Sequence, residues 1–435
     1  MNDISLPADT DSADNPHYLR ALTEMAERRT VVADAAIYST TGIKLVEKGA
    51  RVDGRLYERL VQHKLREPID RHLSVENPVN VSTLVTAAQS LIEQRPLPRM
   101  LAQALGPLAG RLLAPLRSLP LPGAIACKLT VMREQRPELF EHSLQMTIVA
   151  VFLGLRSGLE ERDCASLAAG ALLHDLGVLH MDPAWSDPEH RIIGPERKHL
   201  VAHPITAMLM MRDTQSYARA AEVAVLEHHE RMDGTGYPRG LAGAEITPMG
   251  RILLLAEVIA AFFEKYDDMP AQRLSLVLRL NHRKFPADLV AHILPLLPED
   301  TVGESSLMPL GNEVPRQIEL LAEAFARWDQ LKAGLPAGTR PAPAGAFAFA
   351  EARLQGLQKT LLEAGSHPRQ QSDMLPHLQG DPMGLAEVGL VAREALWQLQ
   401  TVINACHRRW PRLDERATPE DAAVADWCAW AVQRL

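Results

Sequence analysis

From residue 124 to residue 297 apolar side chains return every three or four positions almost without pause, the pattern of amphipathic helices packed on one another. It predicts helices over Ala124–Glu134, Pro137–Leu155, Glu160–Leu176, Glu196–Met211, Ala218–Met232 and Pro248–Tyr266. Pro195 and Pro248 stand where a helix can begin, because a first-turn proline lacks only an N–H that would be unpaired anyway. Upstream the pattern changes. After a polar tail (1–16) expected to be disordered, Tyr18–Arg29 reads as a short helix. The β-branched run Thr30–Tyr38 reads as a strand, Ser39–Gly42 as a turn, Ile43–Val46 as a return strand, and Val52–Leu65 as a helix. Residues 17–78 therefore form a small α/β module, equally readable as a regulatory module or as packing. A helical connector (79–123), punctuated by Pro96, Pro98, Pro107 and Pro115, ends at the boundary Leu119-Pro120-Leu121-Pro122-Gly123. Beyond the bundle (124–297), residues 298–346 hold a helix and the Pro/Ala/Gly linker PAGTRPAPAGA. Residues 347–435 then form a helical module with helices over Phe347–Gly365, Met383–Arg408 and Ala417–Leu435. Its Trp397, Trp410, Trp427 and Trp430 read as core and interface aromatics. The fold class expected is mainly α: a helical bundle with a small N-terminal α/β module and a C-terminal helical module.

A chain of 435 residues suggests two or three domains. The net charge of −8 lacks the basic footprint of a DNA- or RNA-binding protein, so any phosphate-bearing ligand must be held by local cations. Cys127, Cys164, Cys406 and Cys428 form no CxxC pair, which fits reduced thiols rather than a disulfide framework or a thiolate zinc site. No apolar run approaches the ~20 residues that span a bilayer. The polar, acidic start MNDISLPADTDSADNP is no secretory signal. A cytoplasmic protein is expected.

The chemistry concentrates around VLEHHERMDGTGYP (225–238). His228 and His229 close an apolar helical run; Asp233, Gly234 and Gly236 break it, and Tyr237-Pro238 turn the chain away. Adjacent residues on a helix point roughly 100° apart, so both imidazoles serve one site only if neighbouring helices supply further ligands. They do. Glu138 and His142, four apart, share a helix face. His174-Asp175 ends the helix ASLAAGALLHDLG, His203 precedes Pro204 at a helix junction, and Glu257 lies in the apolar run ILLLAEVIAAFF, where an ionised carboxylate needs a partner or a metal. Each alone has an ordinary explanation, a satisfied core histidine or an ion-paired acid. Five histidines and three acids on successive helices do not. Mixed imidazole and carboxylate donors suit Fe, Mn or Zn better than Mg or Ca, and inward-facing carboxylates and histidines hold paired metals in helical bundles.

The order His142, His174-Asp175, His203, His228-His229, Glu257 resembles the HD superfamily of metal-dependent phosphohydrolases, and HHERMDGTGYP resembles its HD-GYP group, which hydrolyses cyclic di-GMP. The resemblance covers roughly residues 125–295. It implies an HD-type bundle in which His142, His174, Asp175, His203, His228 and His229 ligate two divalent ions, iron or manganese, with Asp175 bridging them and His174 and Asp175 at the catalytic centre. Glu138 matches the extra carboxylate of members that hold a third ion, and Glu257 stands where the family has Asp; it is one methylene longer and is still expected to coordinate a metal. Paired ions acidify a water between them and stabilise both oxygens of an in-line displacement at phosphorus. The loop Asp233, Gly234, Gly236, Tyr237, Pro238 is linked in the family to protein partners; it reads equally as a structural turn.

The chain departs from the pattern where substrate is gripped. The family continues its HD pair with Gly-Lys, whereas here Gly177 is followed by Val178; the arginine expected after the last acidic ligand is missing, with Lys265 the nearest cation. Arg231 and Lys265 are the candidate phosphate contacts, with Arg239, Arg251 and Lys198 as possible substitutes. Losing a charge-assisted hydrogen bond to a buried anion costs about 1.5–3 kcal/mol. The leading expectation is a phosphodiesterase of cyclic di-GMP or a related nucleotide. The rivals are a catalytically degenerate module that binds a nucleotide or protein, and a hydrolase of another phosphoester.

Overall fold

The computed structural model describes residues 15–186, 195–266, 270–297, 313–336, 338–339, 341–363, 365–378 and 382–434. The polar tail lies outside them up to residue 14, as do residues 298–312 and parts of the linker. The protein is mainly helical, with four short strands near its start among the described residues. Its residues cluster into two units: Met1–Arg231 with Tyr237–Glu264 and Pro286–His292, and Met232–Gly236 with Lys265–Phe285 and Ile293–Leu435.

The first unit opens with α1 (Pro16–Arg28), capped by the Asn15 side chain, which accepts from the N–H groups of His17 and Tyr18. The single strand expected over Thr30–Tyr38 is two: β1 (Val31–Ala33) and β2 (Ile37–Tyr38). β2 pairs with β3 (Lys44–Val46) across the predicted turn. β1 instead pairs with β4 (Leu73–Val75), more than forty residues on, a long-range choice that local alternation does not reveal. Between them α2 (Gly54–Val61) is shorter than expected. The connector folds as α3 (Val81–Gln94), α4 (Pro96–Leu105) and α5 (Ala114–Arg117), each proline-marked start or turn as read.

The bundle follows as α6 (Gly123–Gln135), α7 (Pro137–Arg156), α8 (Glu161–Leu173), α9 (Pro195–Thr214), α10 (Arg219–Glu227) and α11 (Pro248–Lys265). At its centre α7 packs against α8, and α10 against both α8 and α9. α7 has the length and apolarity of a membrane span, which corrects the expectation that no run approaches one; 72% of its apolar window is buried inside the protein.

Three differences from the expectation matter for the site. The helix expected to reach Leu176 ends at Leu173. The helix expected to reach Met232 ends at Glu227. The buried Glu230 carboxylate accepts the backbone N–H groups of Arg239, Gly240 and Leu241, which draws the chain out of helix into a loop. Conversely, Pro204 does not mark a junction: it lies inside α9.

The second unit contains α12 (Pro270–Leu280), α14 (Val314–Ala333), α15 (Ala346–Glu363), α16 (Pro368–Met374), α17 (Pro382–Arg409) and α18 (Pro419–Arg434), while α13 (Ala287–Ile293) falls almost wholly in the first. Its core joins Trp328, Phe347, Leu399, Ile403 and Trp427, with Trp410 and Trp430 packed on it; Trp397 is exposed. The Trp427 indole donates to the Ala324 carbonyl at 3.0 Å, so its polar edge is satisfied inside an apolar core.

Candidate metal centre

Three histidines reach the centre by one local device. Near a helix end the last carbonyls lack an intrahelical partner. His174 follows α8 and its Nδ1 bonds the Ala171 carbonyl at 2.8 Å; His228 follows α10 and its Nδ1 bonds the Val225 carbonyl at 2.6 Å. His203 achieves the same in mid-helix. In a regular helix the Leu200 carbonyl would accept from the N–H of residue 204, which Pro204 does not have. His203 Nδ1 takes that carbonyl instead, at 2.6 Å. With Nδ1 spent as the donor, each ring turns its Nε2 inward, the arrangement that orients metal-binding imidazoles.

These atoms converge on Asp175. His203 Nε2 lies 3.1 Å and His228 Nε2 3.7 Å from Oδ1, while His174 Nε2 lies 3.2 Å from Oδ2. The Nε2 atoms of His203 and His228 face each other at 3.3 Å. Two groups of donor atoms result, each within 4.8 Å: Asp175, His203, His228 and His229, and next to it His142, His174 and Glu257. The two Asp175 oxygens face one group each. Glu257 Oε2 is 3.0 Å from His142 Nε2 and 3.4 Å from His174 Nε2, so the longer acid still arrives. Backbone approach is close as well. A Cβ on Gly177 would stand 2.2 Å from the His203 carbonyl oxygen, so only glycine lets the turn after Asp175 pass α9.

Glu138 is the exception among the expected ligands. It is exposed and outside both groups. It shares a face with His142 but sits in the first turn of α7, and helical side chains lean toward the N-terminus, which carries it beyond the centre. Glu264 occupies the outer side of His142 instead, 2.7 Å from Nδ1, and accepts from Gln145 Nε2 at 2.9 Å. Sequence reasoning passed it over, although it lies seven residues after Glu257 on the same face of α11. Glu227 was also missed: it is buried and holds Arg239 at 2.6 Å together with the Thr247 N–H and hydroxyl.

The electrostatics follow from burial and charge. Burial pulls the His142 ring down, but Glu257 with Glu264 carries it well above the usual histidine range. Burial likewise lowers His174, and Asp175 with Glu257 overrides it, to about 9. Burial would raise the two carboxyls, yet His174 and His203 hold Asp175, and His142 and His174 hold Glu257, well below the carboxylate range. Burial, reinforced by neighbouring rings, drives His228 to about 3 and His229 well below its ordinary value. The buried carboxylates are thus ionised and balanced by protons on His142 and His174. His174 Nε2 and Asp175 Oδ1 are buried without a hydrogen-bond partner. Inward-facing imidazole nitrogens, two carboxylates and unsatisfied polar atoms fit divalent cations, which would take the place of those protons.

The loop after the histidines divides between the units. Tyr237 N–H donates to the His229 carbonyl at 3.0 Å and its ring lies 4.6 Å from the His229 ring. Asp233, Gly234 and Gly236 fall in the second unit, where Asp233 Oδ1 accepts from the Thr235 N–H and hydroxyl. Of the candidate phosphate contacts, Arg231 is half-buried and donates to the Glu230 carbonyl, and Lys265 is exposed in the second unit, 5.4 Å from the Tyr266 ring centre. Arg239 is paired with Glu227, and Arg251 donates to the carbonyls of Ile246 and Gly243.

Comparison with known proteins agrees with this geometry. The family described as HD domain matches residues 129–278. A 3'3'-cGAMP-specific phosphodiesterase of Vibrio cholerae is 30% identical over 33% of this chain and 32% of its own length. The cyclic di-GMP phosphodiesterase PdeB of Borreliella burgdorferi is 30% identical over 28% and 31%, and a cyclic di-GMP phosphodiesterase of Pseudomonas aeruginosa 30% identical over 31% and 33%. The chain spans about a third of the length of these relatives. Residues 129–278 match the HD domain family, and the chain is related over that part to HD-GYP cyclic dinucleotide phosphodiesterases.

Proposed function

We propose that the centre holds two divalent cations, iron or manganese, and that the protein is a cytoplasmic phosphodiesterase opening cyclic di-GMP or a closely related cyclic dinucleotide. The observation that carries this reading is the convergence of Nδ1-anchored histidines on both oxygens of Asp175. His142, His174 and Glu257 would hold one cation, His203, His228 and His229 the other, and Asp175 would serve both. Glu138 lies outside both groups, so two ions are proposed rather than three. When bound, such ions acidify water and neutralise the charge of a phosphodiester. The chain's own residues do the rest. Asp175 keeps its charge at neutral pH and so can join both sites, the helix carbonyls fix the imidazoles, and Tyr237 covers the His229 ring.

A second reading, a module that binds the nucleotide without cleaving it, is favoured by Val178 in place of lysine and by the commitment of Arg239 and Arg251 to their own loop. Metal-quantified protein incubated with cyclic di-GMP separates the two. A linear dinucleotide product is expected; binding without turnover at full metal occupancy selects the second reading. The double substitution His174→Ala with Asp175→Ala is expected to strip both cations, and unchanged metal content would refute the ligand assignment.

A further inference from the structure

Four consecutive carbonyls of the loop, from Asp233 to Gly236, all accept hydrogen bonds from arginines of α15 and α17. Arg353 donates to the Asp233 carbonyl and pairs with its carboxylate at 3.1 Å. Arg409 donates to the Gly234 carbonyl, and Arg408 to those of Thr235 (2.8 Å) and Gly236. Two of the guanidinium groups are themselves seated: Arg409 lies 4.7 Å and Arg353 5.3 Å from the centre of the Phe349 ring, and Phe349 packs against Trp410 at 5.5 Å. A surface loop ordinarily leaves such carbonyls to water. Here three planar cations, two of them held over an aromatic ring, take every one, and guanidinium is the cation suited to that task because it combines several fixed donors with weak hydration.

We infer that the C-terminal helices are a clamp built into the chain, and that Arg353, Arg408 and Arg409 are positioning residues for the His229 side of the metal centre. The clamped segment ends at Gly236. The next residue, Tyr237, hydrogen-bonds the His229 backbone and covers its ring. Fixing the backbone at 233–236 therefore restricts where Tyr237 and His229 can stand. The loop's carbonyl edge is already occupied by the chain's own helices, so an outside protein reaches it only by displacing them. The positioning role rests on the proposed metal site; the clamp itself does not.

The test uses the full chain with Arg408→Ala and Arg409→Ala together, and Arg412→Ala as a control for loss of an exposed charge. Hydrogen exchange of residues 232–238 and Mn(II) titration are read side by side. Exchange of the segment is expected to quicken about tenfold, and the cation held with His229 to bind about tenfold more weakly. The cation held by His142, His174 and Glu257 keeps its affinity, the control behaves as the unsubstituted protein, and Arg408→Lys restores part of the protection. A folded double variant with unchanged exchange overturns the clamp. Faster exchange with both cations bound as before, or with both weakened equally, overturns the positioning role. Should the double variant not fold, Arg409→Gln is read by the same criteria. A native protein that binds no Mn(II) refutes the metal reading, while the exchange result still decides the clamp.

Discussion

Replacing Pro204 with alanine should make the metal-free protein more stable and its metal centre weaker. Pro204 sits inside α9, where proline costs about 3 kcal/mol relative to alanine. Part of that cost is already offset, because the Leu200 carbonyl left without its backbone donor is taken by His203 Nδ1 at 2.6 Å. Alanine restores the N–H, which competes for the same carbonyl. The net gain in stability is therefore expected at about 1.5–2.5 kcal/mol, roughly the cost of proline less the value of one hydrogen bond. His203 loses the bond that fixes its tautomer and ring, and loss of such a bond typically weakens metal binding about 10–100-fold. Denaturant unfolding of metal-free protein gives the first quantity and Mn(II) titration the second. Greater stability with unaltered metal affinity would refute the reasoning, since it would mean that the carbonyl serves both donors and that the proline has no part in the site.

Gly177→Ala forces a Cβ to 2.2 Å from the His203 carbonyl, a backbone atom that cannot turn aside; a loss of about 3 kcal/mol in thermal or chemical unfolding, with loss of bound metal, is expected, and a wild-type unfolding curve would contradict it. In the second unit, burial raises the Glu394 carboxyl to about 7 against the hydrogen bond from Asn281 and the charge of Lys284. Its folded value lies above its unfolded one, so the stability it contributes is present below about 4.5 and lost as pH rises through 7, about 3 kcal/mol in all. Glu394→Gln should flatten that fall between pH 5 and 8, and an equal fall in the variant would remove the assignment. Glu264→Gln removes one of the two charges on His142 while keeping a hydrogen-bond acceptor; weaker binding of one cation and not the other is expected in a two-site titration, and equal weakening of both would count against the grouping.

Residue order alone settled much of this protein. The three- and four-residue recurrence of apolar positions marked the bundle helices to within a few residues, because burial of a helix face is a local, periodic demand on sequence. The spacing of rare ionisable residues in apolar runs pointed to His142, His174, Asp175, His203, His228, His229 and Glu257, since a charge in such a place must be compensated. Tertiary structure decided what periodicity cannot encode. Whether a residue four positions from a histidine reaches the same centre depends on where the helix starts, and so Glu138 stays outside both groups while Glu264 meets His142 from α11. That Pro204 continues a helix was settled by a side chain taking over a backbone carbonyl, and the early end of α10 by the buried Glu230 carboxylate gathering three amides of a loop. The arginines on the 233–236 loop lie more than a hundred residues from it, and only a folded chain brings them there.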